Sequence, residues 1–539
     1  MRRLIAQAVP AQLRGRLRRL QPDHAIAARA FDAAFYLRTY PDVGQAGMDP
    51  LDHFMAHGWR EGRDPSSEFS VQAYVEAFPE VEASGVNPFV HWLTSGRPNV
   101  VRPEHPLGFR YEIVERLVPV EARIAAVTGR TVAGGDEAAL VAALADSRGG
   151  LAGLHVTFSH DDFSANLGGV QLVIRREAAQ LAEAGRDHLH LFPADPWPVV
   201  RTAEEPGLLG LVWNGRALGA FAPTVVARAL GAAVGGSTSA ERRSFAIHSL
   251  LGHAADETAD ILAAAGLSEG AFWQHDFASL CAGYHLMRND VEDCAAPPPG
   301  SAACGVCVYG PWRARHLAAH RRLFERLQLT VVSPSESALS LWRSQSDLPA
   351  AGTRVHPHAT LTPRGPAPEP ETGRPFKLAY AGFPAAHKGW PLFRRLALKH
   401  AGDPRYDFLH LGARPEPNLG LPFEAVAVTA ETPLAMQAAL EAHRPDAVLI
   451  WPLCRETFSF VAYEAVAAGC ALITGPDSGN VAAFVRESGQ GLVLDEAALD
   501  AAFESGAVLE LARTQRRPGL YDLAFSRLPV DVRHGAGAA

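Results

Sequence analysis

Cysteine is scarce in this sequence, because the 539 residues contain only six. A disulfide scaffold needs many paired cysteines in a short chain, so the count excludes that class of protein and predicts a reducing, cytoplasmic location. An excess of basic charge is also lacking, since 58 acidic residues outnumber 50 Lys and Arg and give a formal net charge of -8. No general electrostatic attraction to nucleic acid is therefore expected.

Long apolar runs are lacking too, because no run reaches the length of a membrane-spanning helix or resembles a signal-peptide core. Residues 1–30 instead form a basic segment in which arginines alternate with Leu and Ile. This segment could contact an anionic membrane surface, or it could be a solvated helix or frayed tail, which Pro10 favours by interrupting the pattern. We expect a cytoplasmic protein, with peripheral contact at the cytoplasmic face of the inner membrane left open.

A repeat follows the basic segment. Residues 31–58 realign without a gap onto residues 69–96, a constant offset of 38 residues, so residues 31–100 hold two copies. Each copy predicts a helix, a Pro-bearing turn and a second helix, a unit too small to bury a core alone. The histidines at equivalent positions, His53 and His91, are interpreted as core or interface residues. Such a module is expected to bind a partner or acceptor, and residues 101–150 are predicted to be a helical connector.

Alternating strand and helix signals over residues 151–361 predict a first α/β domain. A strand pattern ends near residue 160, Gly168 and Gly169 form a glycine loop, and an amphipathic helix follows over residues 170–185. Glycines at such a turn let the backbone approach a ligand and aim amide donors at an anion, although a tight turn explains them equally well. The G-x-G-x-x-G pattern is lacking, which disfavours a nicotinamide or flavin enzyme.

A histidine is placed at the same predicted rim as the glycine loop. The stretch AFWQHDF (271–277) predicts a strand ending in polar residues, so His275 and Asp276 would lie at its carboxyl end. A lone histidine is usually structural, but this position leaves a ligand contact equally open.

Four of the six cysteines follow in a Pro/Gly-rich excursion with the spacing C-x12-C-x9-C-x2-C: Cys281, Cys294, Cys304 and Cys307. An excursion of this composition cannot build its own core, and a tetrahedral thiolate zinc site would hold it closed. Free buried thiols, an iron–sulfur cluster and disulfides are the alternatives. Four thiolates would leave no open coordination position, so the expected zinc is structural and no catalytic metal is expected.

A Pro-rich stretch marks the predicted domain boundary. Residues 362–373, TPRGPAPEPETG, show no packing pattern and predict a linker. A second α/β domain is predicted over residues 374–510 and a tail over residues 511–539. In this second domain Lys388 lies between a strand and a helix, where a lysine can hold a phosphate; a surface lysine is the alternative.

Two carboxylates interrupt an otherwise apolar segment of the second domain. Glu456 follows the strand PDAVLIW, and Glu464 lies about two turns into the next helix, whose side chains lean toward its N-terminus. Burying an ionised carboxylate without partners costs several kcal/mol, so a reason is needed. Carboxylates facing an opening suit the hydroxyls of a sugar; alternatively, Glu456 complements the helix dipole and Glu464 bonds a neighbouring loop.

Taken together, these motifs resemble glycosyltransferase family 4. The resemblance rests on Gly382, on Lys388-Gly389, on Glu456 and Glu464 and on GPDSGNVAAFV after them, and it spans roughly residues 154 to 498. HSLLGH, the HDF-to-cysteine stretch and VSPS further resemble a bacterial branch devoted to surface glycans. The two N-terminal copies resemble repeats found beside such domains.

The resemblance implies the GT-B fold, in which two Rossmann-like domains face each other across a cleft that binds a nucleotide-diphosphate sugar. It implies transfer with retention and without a catalytic metal. The implied residues and roles are Lys388 for the diphosphate, Glu464 for the ribose hydroxyls, Glu456 with the backbone of Thr457, Phe458 and Ser459 for the sugar, His275 for a sugar contact from the first domain, and Gly382, Gly168 and Gly169 as further donor-binding positions. The family usually has Arg after the glycine at position 382, whereas this chain has Phe383.

The expected function is transfer of a sugar from a nucleotide-diphosphate donor to a glycan, lipid-linked or protein acceptor in bacterial surface-glycan synthesis. The alternative is a catalytically weakened GT-B-fold binding or scaffold protein, which Phe383 favours. A sugar-nucleotide epimerase would need further acid/base carboxylates, which the sequence does not single out.

Overall fold

The computed structural model describes residues 22–66, 69–96, 107–128, 134–235, 242–368, 373–416, 421–429, 431–513 and 519–528. The chain divides into two compact units, residues 1–111 and 112–539. Most of the predicted basic segment, residues 1–21, lies outside the described residues, as do residues 369–372 of the predicted linker and much of the predicted tail.

The first unit is helical. Its helices are α1 (Pro22–Ala27), α2 (Ala33–Thr39), α3 (Pro41–Gln45), α4 (Pro50–Ala56), a 3-10 turn (Gly58–Glu61), α5 (Val71–Ala77), α6 (Pro79–Ser84) and α7 (Pro88–Thr94). Helices α2 to α4 and α5 to α7 occupy equivalent positions in the two sequence copies. The predicted Pro-bearing turn is itself a helix in each copy, because Pro41 and Pro79 stand at the first helical position, where the missing N–H is not needed.

Aromatic side chains form the core of this unit, with Phe54 fully buried. The two copies bury the same polar pair. The Tyr36 hydroxyl lies 2.9 Å from Nδ1 of His53, and the Tyr74 hydroxyl lies 2.8 Å from Nδ1 of His91. Both histidines therefore satisfy a tyrosine hydroxyl in the interior of the unit.

The second unit begins with helices and continues into a first α/β layer. The helices are α8 (Arg110–Glu115), α9 (Val120–Val127), α10 (Glu137–Leu144), α11 (Gly169–Glu183), α12 (Pro223–Gly235), α13 (Ala255–Ala264), α14 (Ala302–Gly305), α15 (Gly310–Arg326) and α16 (Glu336–Gln345). The strands are β1 (His155–Phe158), β2 (His188–Pro193), β3 (Leu209–Trp213), β4 (Arg216–Phe221), β5 (Ser244–Ile247), β6 (Glu269–Trp273), β7 (Met287–Arg288), β8 (Glu292–Asp293), β9 (Gln328–Ser333) and β10 (Gly352–Val355).

Eight of these strands form one sheet in the order β10-β9-β6-β5-β1-β2-β3-β4. The pairs from β10 to β2 are parallel, whereas the pairs β2-β3 and β3-β4 are antiparallel. Every residue of β1 and β5 is buried, as expected for parallel strands covered by helices on both faces. Strands β7 and β8 form a separate hairpin in the cysteine-containing excursion.

A second α/β layer follows. Its strands are β11 (Ala359–Pro366), β12 (Phe376–Ala381), β13 (Tyr406–Gly412), β14 (Phe423–Ala425), β15 (Ala447–Leu449), β16 (Ala471–Thr474), β17 (Gly491–Val493) and β18 (Gly519–Phe525). Its helices are a 3-10 turn (Ala386–Lys388), α17 (Trp390–Lys399), α18 (Ala435–His443), α19 (Phe460–Ala467), α20 (Asn480–Ser488), α21 (Glu496–Ser505) and α22 (Leu509–Arg513). Six strands form an all-parallel sheet in the order β14-β13-β12-β15-β16-β17.

The predicted linker is in part a strand, which corrects the expectation of a segment without packing. Residues 359–366 form β11 and pair antiparallel with β18, with an irregularity between Pro363 and Gly365. A two-stranded ribbon tolerates proline because one edge of each strand needs no partner. Just after β18, Leu528 exchanges two hydrogen bonds of 2.9 Å with the Gln180 side chain on α11, so the segment read as a tail returns to the first layer.

The α/β fold class predicted from the sequence is confirmed: two Rossmann-like layers, each built on a parallel sheet, lie in one unit and a helical unit precedes them. Within the described part of the chain, no helix has the length and apolar character needed to span a membrane.

Candidate functional site

The residues after β6 meet the loop after β15. The Thr457 hydroxyl donates to the backbone carbonyl of His275 at 2.7 Å, although the two residues are far apart in the chain. In parallel α/β sheets ligands bind beyond the carboxyl ends of the strands. The contact therefore joins the ligand-facing edges of the two sheets.

A partly buried ion pair fixes the same junction two residues earlier in the chain. Arg455 donates from Nε and Nη2 to the two carboxylate oxygens of Asp293, with both distances 2.8 Å. Asp293 is 10% exposed, so this two-pronged pair is largely shielded from solvent. Sequence analysis missed it, because nothing in the chain marks an arginine and an aspartate this distant as partners.

His275 lies among aromatic rings. Its ring centroid is 5.5 Å from that of Trp273, 5.0 Å from His248 and 5.1 Å from His358, with all planes nearly parallel. Burial lowers the pKa of His275 well below 6.5, and the neighbouring histidines lower it further. The imidazole is therefore neutral at physiological pH and can accept as well as donate a hydrogen bond.

The glycine loop begins α11 on the same side. A side-chain carbon added at Gly169 would lie 3.7 Å from the Phe460 ring, so this position faces the start of α19 in the second layer. Gly168 has an extended backbone that any residue can adopt, and a side chain there would press on the Gln171 amide at 2.3 Å. Close packing thus explains the glycines at 168 and 169, and their contact with a nucleotide-sugar donor stays a prediction.

Lys388 and Glu456 form an ion pair at the mouth of the second sheet. Lys388 ends a 3-10 turn, and Gly389 adopts φ 85° where a side-chain carbon would collide with the Trp451 carbonyl. Burial acts to lower the pKa of Lys388, but the Glu456 carboxylate prevails and raises it. The Lys388 side chain is 44% exposed and can still reach a ligand.

Glu464 is the most isolated charge of the site. It is 4% exposed on α19, and its carboxylate makes no hydrogen bond or ion pair with any residue that the structure describes. Burial raises its pKa from 4.5 to about 7. The alternative in which Glu464 bonds a neighbouring loop is wrong for the described residues. A carboxylate that accepts hydrogen bonds from a ligand fits its burial better.

The loop between these carboxylates offers backbone donors. Within the described residues, the amide N–H groups of Thr457, Phe458 and Ser459 donate to no protein acceptor. The Phe458 side chain packs 4.4 Å from the Tyr463 ring, and Ser459 caps α19. The side chains thus hold the loop while its amides stay available at the helix N-terminus.

Gly382 and Phe383 end β12. Gly382 adopts φ 124°, a conformation that favours glycine, and its carbonyl packs against Gly412. The Phe383 ring is 52% exposed and packs into no core. The Arg414 guanidinium carbon lies 4.9 Å from the Phe383 ring centroid, a cation–π contact. A cation therefore stands beside the position where the family has arginine.

The four cysteines of the excursion line one small cavity. Nonetheless, among the described residues no group of three or more His, Cys, Asp or Glu could hold a metal ion. Burial raises the pKa of Cys281 to about 11 and also raises the pKa of Cys294. The structure thus gives the zinc prediction no support, and elemental analysis of protein purified without chelator is its test.

A buried carboxylate behind His275 escaped sequence analysis. Glu177 is 1% exposed on α11 and contacts His248, which in turn contacts His275. The sequence does place a glutamate on the apolar face of an amphipathic helix, which is unusual. Its partners, however, come from strands that are distant in the chain, so the sequence does not indicate their contact.

No protein-family model matches this chain, and no curated protein matches it. Among solved structures it is similar to a sucrose-phosphate synthase from Thermosynechococcus elongatus, with 17% identity, a TM-score of 0.43 and coverage of 67% of this chain and 92% of that one. It is similar to Anabaena HepE in complex with UDP and glucose, with 10% identity, a TM-score of 0.39 and coverage of 68% and 93%. It is also similar to WaaG, a glycosyltransferase involved in lipopolysaccharide biosynthesis, with 13% identity, a TM-score of 0.36 and coverage of 67% and 94%. The case for function rests on the residues of the site.

Proposed function

We propose that this protein is a retaining glycosyltransferase of the family 4 type that moves a sugar from a nucleotide-diphosphate donor to an acceptor hydroxyl. The observation that carries the proposal is the hydrogen bond of 2.7 Å from Thr457 to the backbone of His275. The resemblance to glycosyltransferase family 4 implies that these two residues contact one sugar from opposite sides. A sugar held between the two sheets would contact both.

The charges of the site suit such a donor. Lys388 can neutralise the diphosphate on which negative charge grows as the glycosidic bond breaks. Glu464, which is buried and has no partner among the described residues, can accept from both hydroxyls of a ribose. Glu456 and the amides of residues 457–459 remain for the sugar. No step in this scheme requires a metal ion.

Arg414 is assigned as the second cation of the diphosphate clamp. It stacks on Phe383, which occupies the position of the family's arginine, and it follows β13 next to β12. The scaffold alternative rested on the loss of that arginine. A stacked arginine at the same rim restores the charge from a neighbouring strand.

Arg414→Ala is expected to weaken nucleoside diphosphate binding about tenfold, because one charge-assisted hydrogen bond is lost. Phe383→Arg is expected to hold or raise donor turnover, since the ring is 52% exposed and leaves no cavity. Isothermal titration measures the nucleoside diphosphate affinity of Arg414→Ala. The rate of nucleoside diphosphate release measures the donor turnover of Phe383→Arg. Arg60→Ala is a matched control, because Arg60 also stacks on a ring, that of Trp59 at 4.0 Å. Unchanged affinity in Arg414→Ala would remove this residue from the clamp.

The acceptor is proposed to be a glycan, a lipid-linked sugar or a protein in bacterial surface-glycan synthesis. The helical unit of residues 31–100 would recruit this acceptor or a partner. The protein would act in the cytoplasm, where residues 1–21 could bring it to the inner-membrane surface.

Thermal-shift screening tests the donor class. A nucleoside diphosphate at 100 times its dissociation constant should stabilise the folded state by about 2.7 kcal/mol. We expect one or more nucleoside diphosphates to raise the melting temperature while the corresponding nucleosides do not, because the diphosphate contacts are then missing. The absence of any shift across UDP, GDP, ADP, CDP and dTDP would count against a nucleotide-sugar site.

A further inference from the structure

A buried carboxylate, that of Glu177, is linked to His275 through one intervening residue, His248. Glu177, on α11, accepts a hydrogen bond of 2.6 Å from the Thr157 hydroxyl. Its Oε1 lies 3.3 Å from Nε2 of His248 and 3.5 Å from Nε2 of His155. Burial acts to raise the pKa of Glu177, but the two histidines prevail and hold it well below 4.5. The group is therefore an ionised carboxylate inside the first layer.

His248 connects this carboxylate to the site. Its Nε2 faces Glu177, and its Nδ1 lies 2.7 Å from Nε2 of His275, with the two rings inclined by 11°. His248 is 2% exposed and so exchanges no proton directly with solvent. Three residues from α11, the end of β5 and the end of β6 thus form one continuous chain of hydrogen-bonding atoms.

The positions of the histidine ring protons follow from the Glu177 carboxylate, which can only accept hydrogen bonds. In the arrangement proposed below, His248 holds a single ring proton on Nε2, toward Glu177, and its Nδ1 has a lone pair. That lone pair accepts from His275, whose proton is therefore on Nε2. The remaining ring nitrogen, Nδ1 of His275, makes no hydrogen bond to any described residue and would hold a lone pair.

We propose that Glu177 and His248 are positioning residues that fix His275 in the Nε2-protonated tautomer, so that its Nδ1 accepts a hydrogen bond from a hydroxyl of the bound sugar. This inference rests on the proposed function for its ligand, but the tautomer itself does not. The substrate class is thereby narrowed to sugars with a free hydroxyl at this position, because a deoxy or deoxyfluoro sugar has no proton to donate there.

The other groups around His275 do not compete for this role. The titratable groups that face it are His248, His358, His160 and Glu177. His358 stacks on the ring at 5.1 Å, and the neighbouring Trp273 stacks at 5.5 Å. These stacked rings hold the plane of the imidazole, whereas only His248 is within hydrogen-bonding distance of its Nε2.

Nitrogen-15 NMR of histidine-labelled protein tests the proposal, with the His275 signals assigned by their loss in His275→Gln. In the wild type we expect a protonated Nε2 and an unprotonated Nδ1 at His275. Glu177→Gln should mix the two tautomers, because an amide can face His248 with either its donor or its acceptor. His248→Ala should do the same, because Nε2 of His275 then loses its hydrogen-bond partner.

Donor turnover provides the second measurement. Glu177→Gln and His248→Ala are expected to lower kcat about tenfold, as for one lost hydrogen bond in the transition state. A His275 protonated on Nδ1 in the wild type, or tautomers unchanged in Glu177→Gln and His248→Ala, would overturn the proposal. If the wild type turns over no donor, the glycosyltransferase proposal fails. The NMR measurement still tests whether Glu177 and His248 fix the tautomer of His275.

Discussion

Lys388→Ala is expected to lower donor turnover by about tenfold to a hundredfold, which corresponds to a charge-assisted hydrogen bond of roughly 1.5 to 3 kcal/mol. Negative charge grows on the diphosphate as the glycosidic bond breaks, so the ammonium helps the transition state more than the ground state. The variant also removes the ion-pair partner of Glu456. Steady-state kinetics should therefore show the loss in kcat as well as in kcat/KM.

Lys399→Ala is the matched control. Lys399 also forms an ion pair, with Glu504, and its side chain is 43% exposed compared with 44% for Lys388. Exposed ion pairs contribute little to stability, so both variants should unfold near the wild-type temperature. Only Lys388→Ala should lose turnover. Equal turnover in the two variants would contradict the assignment of Lys388 to the diphosphate.

Glu464→Gln is expected to weaken nucleotide binding by about tenfold to a hundredfold, because an amide accepts less strongly than a carboxylate from two ribose hydroxyls. The ribose does not react, so KM should rise while kcat changes little. Isothermal titration with the nucleoside diphosphate measures the loss. Glu487→Gln, at an exposed position on α20, is the control.

The same variant is expected to stabilise the folded protein at high pH. Burial raises the pKa of Glu464 from 4.5 to about 7, so the folded state holds the proton more tightly than the unfolded state. Its cost to stability is absent below about pH 4.5, grows as the pH rises toward 7 and is complete above 7. Glu464→Gln removes a cost on the order of 3 kcal/mol at pH 8. Chemical unfolding at pH 5 and pH 8 should show the gain mainly at pH 8.

Binding by the wild type should show the opposite dependence on pH. The ionised form of Glu464 accepts stronger hydrogen bonds from the ribose, so nucleotide affinity should rise as this carboxyl ionises between pH 6 and pH 8. Glu464→Gln should abolish the rise that this ionisation causes. A variant that binds as well as wild type, or is no more stable at pH 8, would show that Glu464 has a structural partner.

The site residues that the sequence predicts best are those that break a local rule. Glu464 stands out because a glutamate in an apolar helix needs a reason, and the structure buries it with no partner among the residues described. The strands around it are equally readable, since parallel strands such as β15 and β16 are continuous apolar runs.

The features that sequence analysis missed depend on contacts between distant residues. The sequence places His275 at a strand end but does not link it to Glu177 and His248, which it meets because β5 lies next to β6 and α11 packs against both. The pairing of β11 with β18 is equally invisible, since proline in residues 359–366 argues for a linker unless a distant edge strand is known.

The most direct test of the proposed function is the release of nucleoside diphosphate from a panel of nucleotide sugars, compared between wild type and Lys388→Ala. We expect wild type to release nucleoside diphosphate from at least one donor, and Lys388→Ala to do so at least about tenfold more slowly. If wild type consumes no donor and Lys388→Ala binds nucleoside diphosphates as tightly as wild type, the glycosyltransferase proposal is contradicted and a binding or scaffold role stands in its place.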